Sequence, residues 1–220
     1  MSAYDYFIGR GVTRLCHFTT LRSLTHILCS EDGILASSSI SKDTKVVNDH
    51  ARYDGEPDHV CCSVEYPNSW YKNRAVSSNS DVIFNEWVVI YISPEILKVR
   101  SAKFCPCNAS SAGGLYITDN YENLYQSSVS NATRTIIRAT NMLECCPTDG
   151  QAEVLISKNI PRDYISGIAV GNREIADRIY GMYPTIKIAP IPLYLAPKVL
   201  TTEWSNLARQ GQRPVEQLIY

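Results

Sequence analysis

Short apolar runs of strand-like character recur along the chain, separated by polar turns, and only two stretches show helical spacing. Residues 12–18 (Val12-Thr13-Arg14-Leu15-Cys16-His17-Phe18) read as a strand ending in the polar pair Thr19-Thr20. Leu21, Leu24, Ile27 and Leu28 then recur at helical spacing, with Thr19 or Thr20 placed as the cap and Gly33 just past the end. Residues 60–66 resume as a strand that Pro67-Asn68-Ser69 turns. Residues 87–92 (Trp-Val-Val-Ile-Tyr-Ile) are apolar throughout, which predicts a central strand covered on both faces. Ser93-Pro94-Glu95 reads as N-cap, Pro at N1 and an acid in the first turn of a short helix. Residues 165–170 predict another strand, and Asn172 a cap for a helix with Ile175, Ile179 and Met182 inside. Residues 185–190 give a last strand.

Between these elements the pattern weakens. Residues 37–55 are polar and irregular, with Asn48-Asp49-His50-Ala51-Arg52-Tyr53-Asp54-Gly55 as the charged end of a long loop. Residues 101–131, rich in Ser, Asn, Gly and Cys, read as loop, and residues 133–139 as a short helix. The tail from 198 to 220 offers Trp204, Leu207, Leu218 and Ile219 as anchors and is expected to dock loosely. Strands outnumber short, scattered helices, so the expected class is α+β, not a doubly wound sheet. The length fits one domain over 1–220, with a core of about 13–197 and the tail beyond it.

Composition changes this picture little. The chain has 220 residues, 45% of them hydrophobic, which is ample for a core, and no run long enough to span a membrane. Its start does not read as a signal peptide, so a soluble cytoplasmic protein is expected. A net charge of −1 supplies no bulk field to gather polyanions, leaving only local arginines such as Arg10, Arg14, Arg22, Arg134 and Arg138. The eight cysteines include the pairs Cys61-Cys62 and Cys145-Cys146, and they lack zinc-type spacing; reduced, mostly buried thiols and no metal are expected. No Gly-x-Gly-x-x-Gly or phosphate-loop motif is present, which disfavours a Rossmann or kinase-like nucleotide site.

The candidate chemistry sits at element ends. Gln151-Ala152-Glu153-Val154-Leu155-Ile156 follows the turn cluster Pro147-Thr148-Asp149-Gly150 and places one carboxylate at the mouth of an apolar strand. Singly, Glu153 reads as a solvated strand-end acid, His17 as a satisfied histidine near the core, Thr19 as a helix cap, and Arg52 as surface charge balance among Asp49, Asp54 and Glu56. Neither a Ser-His-Asp nor a Cys-His arrangement stands out.

In order, the set resembles the ADP-ribosyltransferases, and more narrowly the DarT family of DNA ADP-ribosyltransferase toxins. The carrying residues are Leu15-Cys16-His17-Phe18-Thr19 with Leu24, Ile27, Leu28 and Gly33, then residues 48–55 leading into 59–64, then residues 151–156; together the resemblance spans roughly 13–170. It implies a split, mainly antiparallel sheet, NAD+ as co-substrate and mono-ADP-ribosylation of a base, thymine or guanine, in single-stranded DNA. Glu153 would face the ribose, whose oxocarbenium-like state a carboxylate stabilises. Arg52 would hold the pyrophosphate, bidentately as lysine cannot, or help to activate the base. His17, Phe18 and Thr19 would hold the nicotinamide riboside. Ser23 joins the cofactor contacts, in a helix start where the family often has Asn and this chain has Arg22-Ser23. A base buried in a duplex is out of reach, so the DNA should be single-stranded or flipped, with Tyr53, Tyr66, Trp70 and Tyr71 available for stacking. The family further implies a toxin, expected here as a monomer, restrained by a macrodomain antitoxin. An acceptor in RNA or protein, or a non-catalytic binding module, is the rival reading; acceptor choice belongs to loops such as 37–55 and 101–131 rather than to the donor site.

Overall fold

The computed structural model describes residues 1–40, 53–78 and 86–220; Arg52 and the segment before it lie outside these. Eight strands form one sheet. In chain order they are β1 (Leu15–Thr20), β3 (His59–Val64), β4 (Trp87–Ile92), β5 (Ala102–Cys105), β8 (Glu153–Ser157), β10 (Ile165–Val170), β11 (Leu193–Leu195) and β12 (Gln217–Leu218). Two small antiparallel pairs stand apart: β2 (Ile34–Leu35) with β9 (Asn159–Ile160), and β6 (Ser128–Ser130) with β7 (Thr135–Ile137). The spatial order in the sheet is β12-β11-β10-β4-β1-β3-β8-β5, antiparallel throughout except for β10 and β11.

β4 is central, as its unbroken apolar sequence requires. All six residues are buried, with β1 paired along its full length on one side and β10 on the other. Helices cover the sheet. α1 (Ala3–Gly9) buries Phe7, and α2 (Leu21–Cys29) buries Leu21, Leu24 and Leu28. α3 (Ser69–Ser78) follows β3, and the four-residue α4 (Ile96–Val99) follows β4. α5 (Arg173–Ile186) crosses from β10 to β11 and buries Ile175, Ala176, Ile179 and Tyr183, capped by Asn172 through the Ile175 N–H. α6 (Glu203–Arg209) lies in the tail. This is the α+β architecture that the strand-rich pattern predicts.

Gly33 adopts φ +65°, and a Cβ there would lie 2.3 Å from the Ile160 carbonyl oxygen and 2.6 Å from the Arg162 nitrogen. The glycine thus lets β2 close against β9. Gly33→Ala is expected to destabilise the protein by at least about 2 kcal/mol, because strain and a backbone clash add; the urea midpoint reports it.

Four expectations fail, each for a local reason. Residues 101–131 contain β5, two 3-10 turns and β6, because the short apolar segment at 102–105 finds β8 beside it. Residues 133–139 are not helical: Thr135, Ile136 and Ile137 are β-branched and pair with β6 across the Asn131 turn. Thr185 and Ile186 finish α5, whose periodicity runs through Pro184 to a left-handed Lys187, and the strand comes later at β11. The tail, finally, is firmly docked. Trp204 is 1% exposed, donates from Nε1 to Ser69 Oγ at 3.2 Å, and packs on Tyr66 and Trp70. Arg213 donates to the fully buried Glu65 at 2.6 Å, while Glu216 takes hydrogen bonds from Tyr91 and the Arg14 guanidinium. Its true anchors are therefore Trp204, Ala208 and two charged residues; Leu218 is exposed.

Candidate active site

The sheet opens where β1 and β3 meet. They pair only at Leu15–Val64 and Cys16–Ser63, whereas β1 and β4 pair over six residues and β3 and β8 over four. Beyond Cys16 the two strands part, and the gap is a pocket of about 460 Å³, within the usual range for a bound small molecule. One wall carries His17, Phe18, Thr19, Ser23 and Ile27 from β1 and α2; the other carries Val60, Cys61, Cys62, Ser63 and Glu153 from β3 and β8.

Each wall has its own local cause. Thr20, not Thr19, caps α2, its Oγ1 accepting the Ser23 N–H at 3.3 Å. Thr19 pairs through its backbone with Val88 and is buried against the cleft. Ser23 Oγ lies 3.1 Å from Thr20 Oγ1 at the start of the same helix. Phe18 sits edge-on to Trp87, with ring centroids 6.1 Å apart. His17 spans the split, with Nδ1 2.9 Å from the Cys61 carbonyl oxygen. A carbonyl only accepts, so Nδ1 carries a proton and donates it to this bond.

Glu153 opens β8 opposite Cys105 and is 9% exposed. Its Oε1 accepts the Ala109 N–H at 3.3 Å. It is therefore not the solvated strand-end acid of the simplest reading. The turn before it is braced: Arg134 donates to both oxygens of the buried Asp149, which also accepts the Gln151 and Ala152 N–H groups. A Cβ on Gly150 would meet Trp70 at 2.9 Å and Trp204 at 3.0 Å, so the first turn of α3 and the tail press on this turn. Burial raises the thiols of Cys16 and Cys62 well above the ordinary thiol range, which favours their neutral form.

The structure thus brings together His17, Phe18, Thr19, Ser23 and Glu153; Arg52 lies outside the described residues. Of the aromatic candidates only Tyr71 lines the pocket, while Tyr66 is buried under Trp204 and Tyr53 is exposed. Sequence reading missed the Arg134–Asp149 brace and the pocket-lining Asn68, Asn108 and Ser110. For Asp149 the turn signal was visible, but its partner 15 residues upstream was not. All eight cysteines are free, six of them buried, with Cys61 half-buried on the pocket wall and Cys29 exposed. Among the described residues no His, Cys, Asp or Glu cluster could hold a metal, and no helix is long and apolar enough to cross a membrane.

Solved structures share this fold. Thermus sp. 2.9 DarT in complex with ADP-ribosylated ssDNA superposes with a TM-score of 0.62 at 14% identity, over 86% of this chain and 96% of that one. The Thermus sp. 2.9 DarT complex with NAD+ gives 0.54 at 16% identity, over 81% and 91%. Thermosipho africanus DarTG in complex with ADP-ribose gives 0.52 at 16% identity, over 86% of this chain but 51% of that one. No curated protein matches the sequence. The family model described as "ssDNA thymidine ADP-ribosyltransferase, DarT" matches residues 16–201, and the chain belongs to the DarT family of ADP-ribosyltransferases.

Proposed function

We propose that the protein transfers ADP-ribose from NAD+ to a base, thymine as the family description suggests, in single-stranded DNA. The observation that carries this reading is the split between β1 and β3, which sets His17 and Thr19 on one wall and the buried carboxylate of Glu153 on the other. The donor lies along the β1–α2 wall, with His17, Phe18 and Thr19 on the nicotinamide riboside and Ser23 further along. The bond between nicotinamide and ribose breaks, nicotinamide leaves with the electron pair, and the positive charge on the ribose is stabilised by Glu153. A base nitrogen then bonds to the anomeric carbon, and its proton passes to the Glu153 carboxylate or to solvent. Arg52 holds the pyrophosphate or helps activate the base. NAD+ is consumed in this reaction as a co-substrate.

The reaction needs NAD+ and DNA together, which supports a cytoplasmic location. By family likeness the mark is removed by a macrodomain antitoxin, and the protein is the toxin of the pair. The test offers labelled NAD+ with single-stranded DNA, RNA and protein in one competition. Label on DNA is the expected result; label on RNA or protein instead would reject the DNA reading. Millimolar NAD+ is also expected to raise the melting temperature, since a ligand that binds only the native state stabilises it. A flat melting curve would favour a non-catalytic module. Arg52→Lys should cut transfer sharply while the fold stays intact, because a point charge does not replace a bidentate fork.

A further inference from the structure

Glu153 is the first residue of β8, so its place depends on the turn before it and on the Ala109 segment beside it. The β6–β7 hairpin reaches both. From β6, the buried Val129 packs with Cys105, Cys107, Ala109 and Leu155 in one apolar cluster, which sets the segment that carries the Ala109 N–H. From the hairpin turn, Arg134 reaches Asp149. Its backbone is fixed first: Asn131 Oδ1 accepts the Thr133 and Arg134 N–H groups at 3.0 Å, and the Arg134 carbonyl accepts the Asn131 N–H at 2.9 Å. Its Nη2 then donates to both Asp149 oxygens, at 2.9 and 2.8 Å. Asp149 Oδ1 takes the Gln151 N–H at 2.9 Å and the Asp149 carbonyl takes the Ala152 N–H at 2.9 Å, closing the turn that delivers the chain to Glu153.

The pair works as a tether between hairpin and turn. Asp149 is buried, so its charge is sheltered from water and its geometry is set by the groups around it. Arg134 meets it with a single nitrogen, and its Nε is buried without a partner, so the planar fork of the guanidinium is not what the carboxylate uses. We propose that Arg134 is a positioning residue of the transfer reaction, holding the Glu153 carboxylate at the ribose through Asp149. The inference rests on the proposed function, which gives Glu153 its role. Among the described residues, the hydrogen bonds of Arg134 and Asp149 involve none from the β1–α2 wall. The tether therefore serves the chemical step and not the binding of NAD+.

The test compares three variants by kinetics on single-stranded DNA. Arg134→Met keeps an unbranched stem and removes the cation. Arg134→Met combined with Asp149→Asn leaves no buried carboxylate unpaired, and the Asn oxygen can still take the Gln151 N–H, so this variant keeps the fold if the first does not. Arg134→Lys restores a single charged nitrogen. In both Met variants kcat for transfer should fall at least about tenfold, the scale of a misplaced catalytic group, while KM for NAD+ and the NAD+-induced rise in melting temperature stay unchanged. Arg134→Lys should return kcat to within about threefold of wild type, since a point charge suffices where no fork is used. A smaller loss of kcat in the double variant overturns the inference. A weakened NAD+-induced shift with a raised KM does so too, because it marks a generally loosened fold. Arg134→Lys as slow as Arg134→Met overturns it as well, by placing the guanidinium itself on the substrate. Absence of DNA transfer by the wild type is a different failure, that of the proposed function itself.

Discussion

Glu153→Gln is expected to lower transfer of ADP-ribose to single-stranded DNA by about 10³-fold, the scale on which a single charge-stabilising group acts at a reacting centre. The change is isosteric and leaves an oxygen to accept the Ala109 N–H, so the wall of the pocket keeps its shape. The charge proposed to face the ribose is lost. Glu153 is 9% exposed, and because Gln keeps its size and an acceptor oxygen the variant should remain folded. NAD+ should still stabilise the variant, since His17, Phe18, Thr19 and Ser23 are untouched. Activity within tenfold of wild type would remove Glu153 from the chemistry. A lowered melting temperature together with lost NAD+ binding would mean that it is a structural acid.

Trp204→Ala is expected to cost about 3–5 kcal/mol, the range for truncating a large buried aromatic. At 2–4 °C per kcal/mol for a chain of this size, the melting temperature should fall by on the order of 10 °C. The indole is 1% exposed, lies against Tyr66 and Trp70, and satisfies Ser69 Oγ. It also touches the Gly150 turn, so transfer should fall too as the approach to Glu153 loosens. A cost below about 1 kcal/mol would mean that the tail is only loosely held.

What could be read in advance follows from how local each signal is. The β1–α2 unit was legible because strand, cap and helix follow one another within fifteen residues, as was β4, whose apolar run admits only a central position. Glu153 was legible as an acid heading a strand, and its meaning came from the order of three motifs. Burial of that acid was not, because it depends on Ala109 and on the turn held by Arg134 and Asp149. β5 and β7 were missed for the same reason: each is short and polar-flanked, and gains its ladder from a partner distant in sequence or across a tight turn. The tail was misjudged because two of its anchors are charged. Arg213 and Glu216 look like solvent-facing residues until Glu65, Arg14 and Tyr91 are placed opposite them. Asn68 read only as part of a turn; that its oxygen caps α3 and that it lines the pocket is a matter of three dimensions.

The central claim, that the β1–β3 cleft transfers ADP-ribose from NAD+ to a DNA base with Glu153 as the charge-stabilising group, is tested most directly by mass spectrometry of a single-stranded oligonucleotide incubated with NAD+ and the protein. Fragmentation reports donor, acceptor and base at once. The expected result is one ADP-ribose on a thymine with the wild type and none with Glu153→Ala. An unmodified oligonucleotide from the wild type, or equal modification by Glu153→Ala, would contradict it.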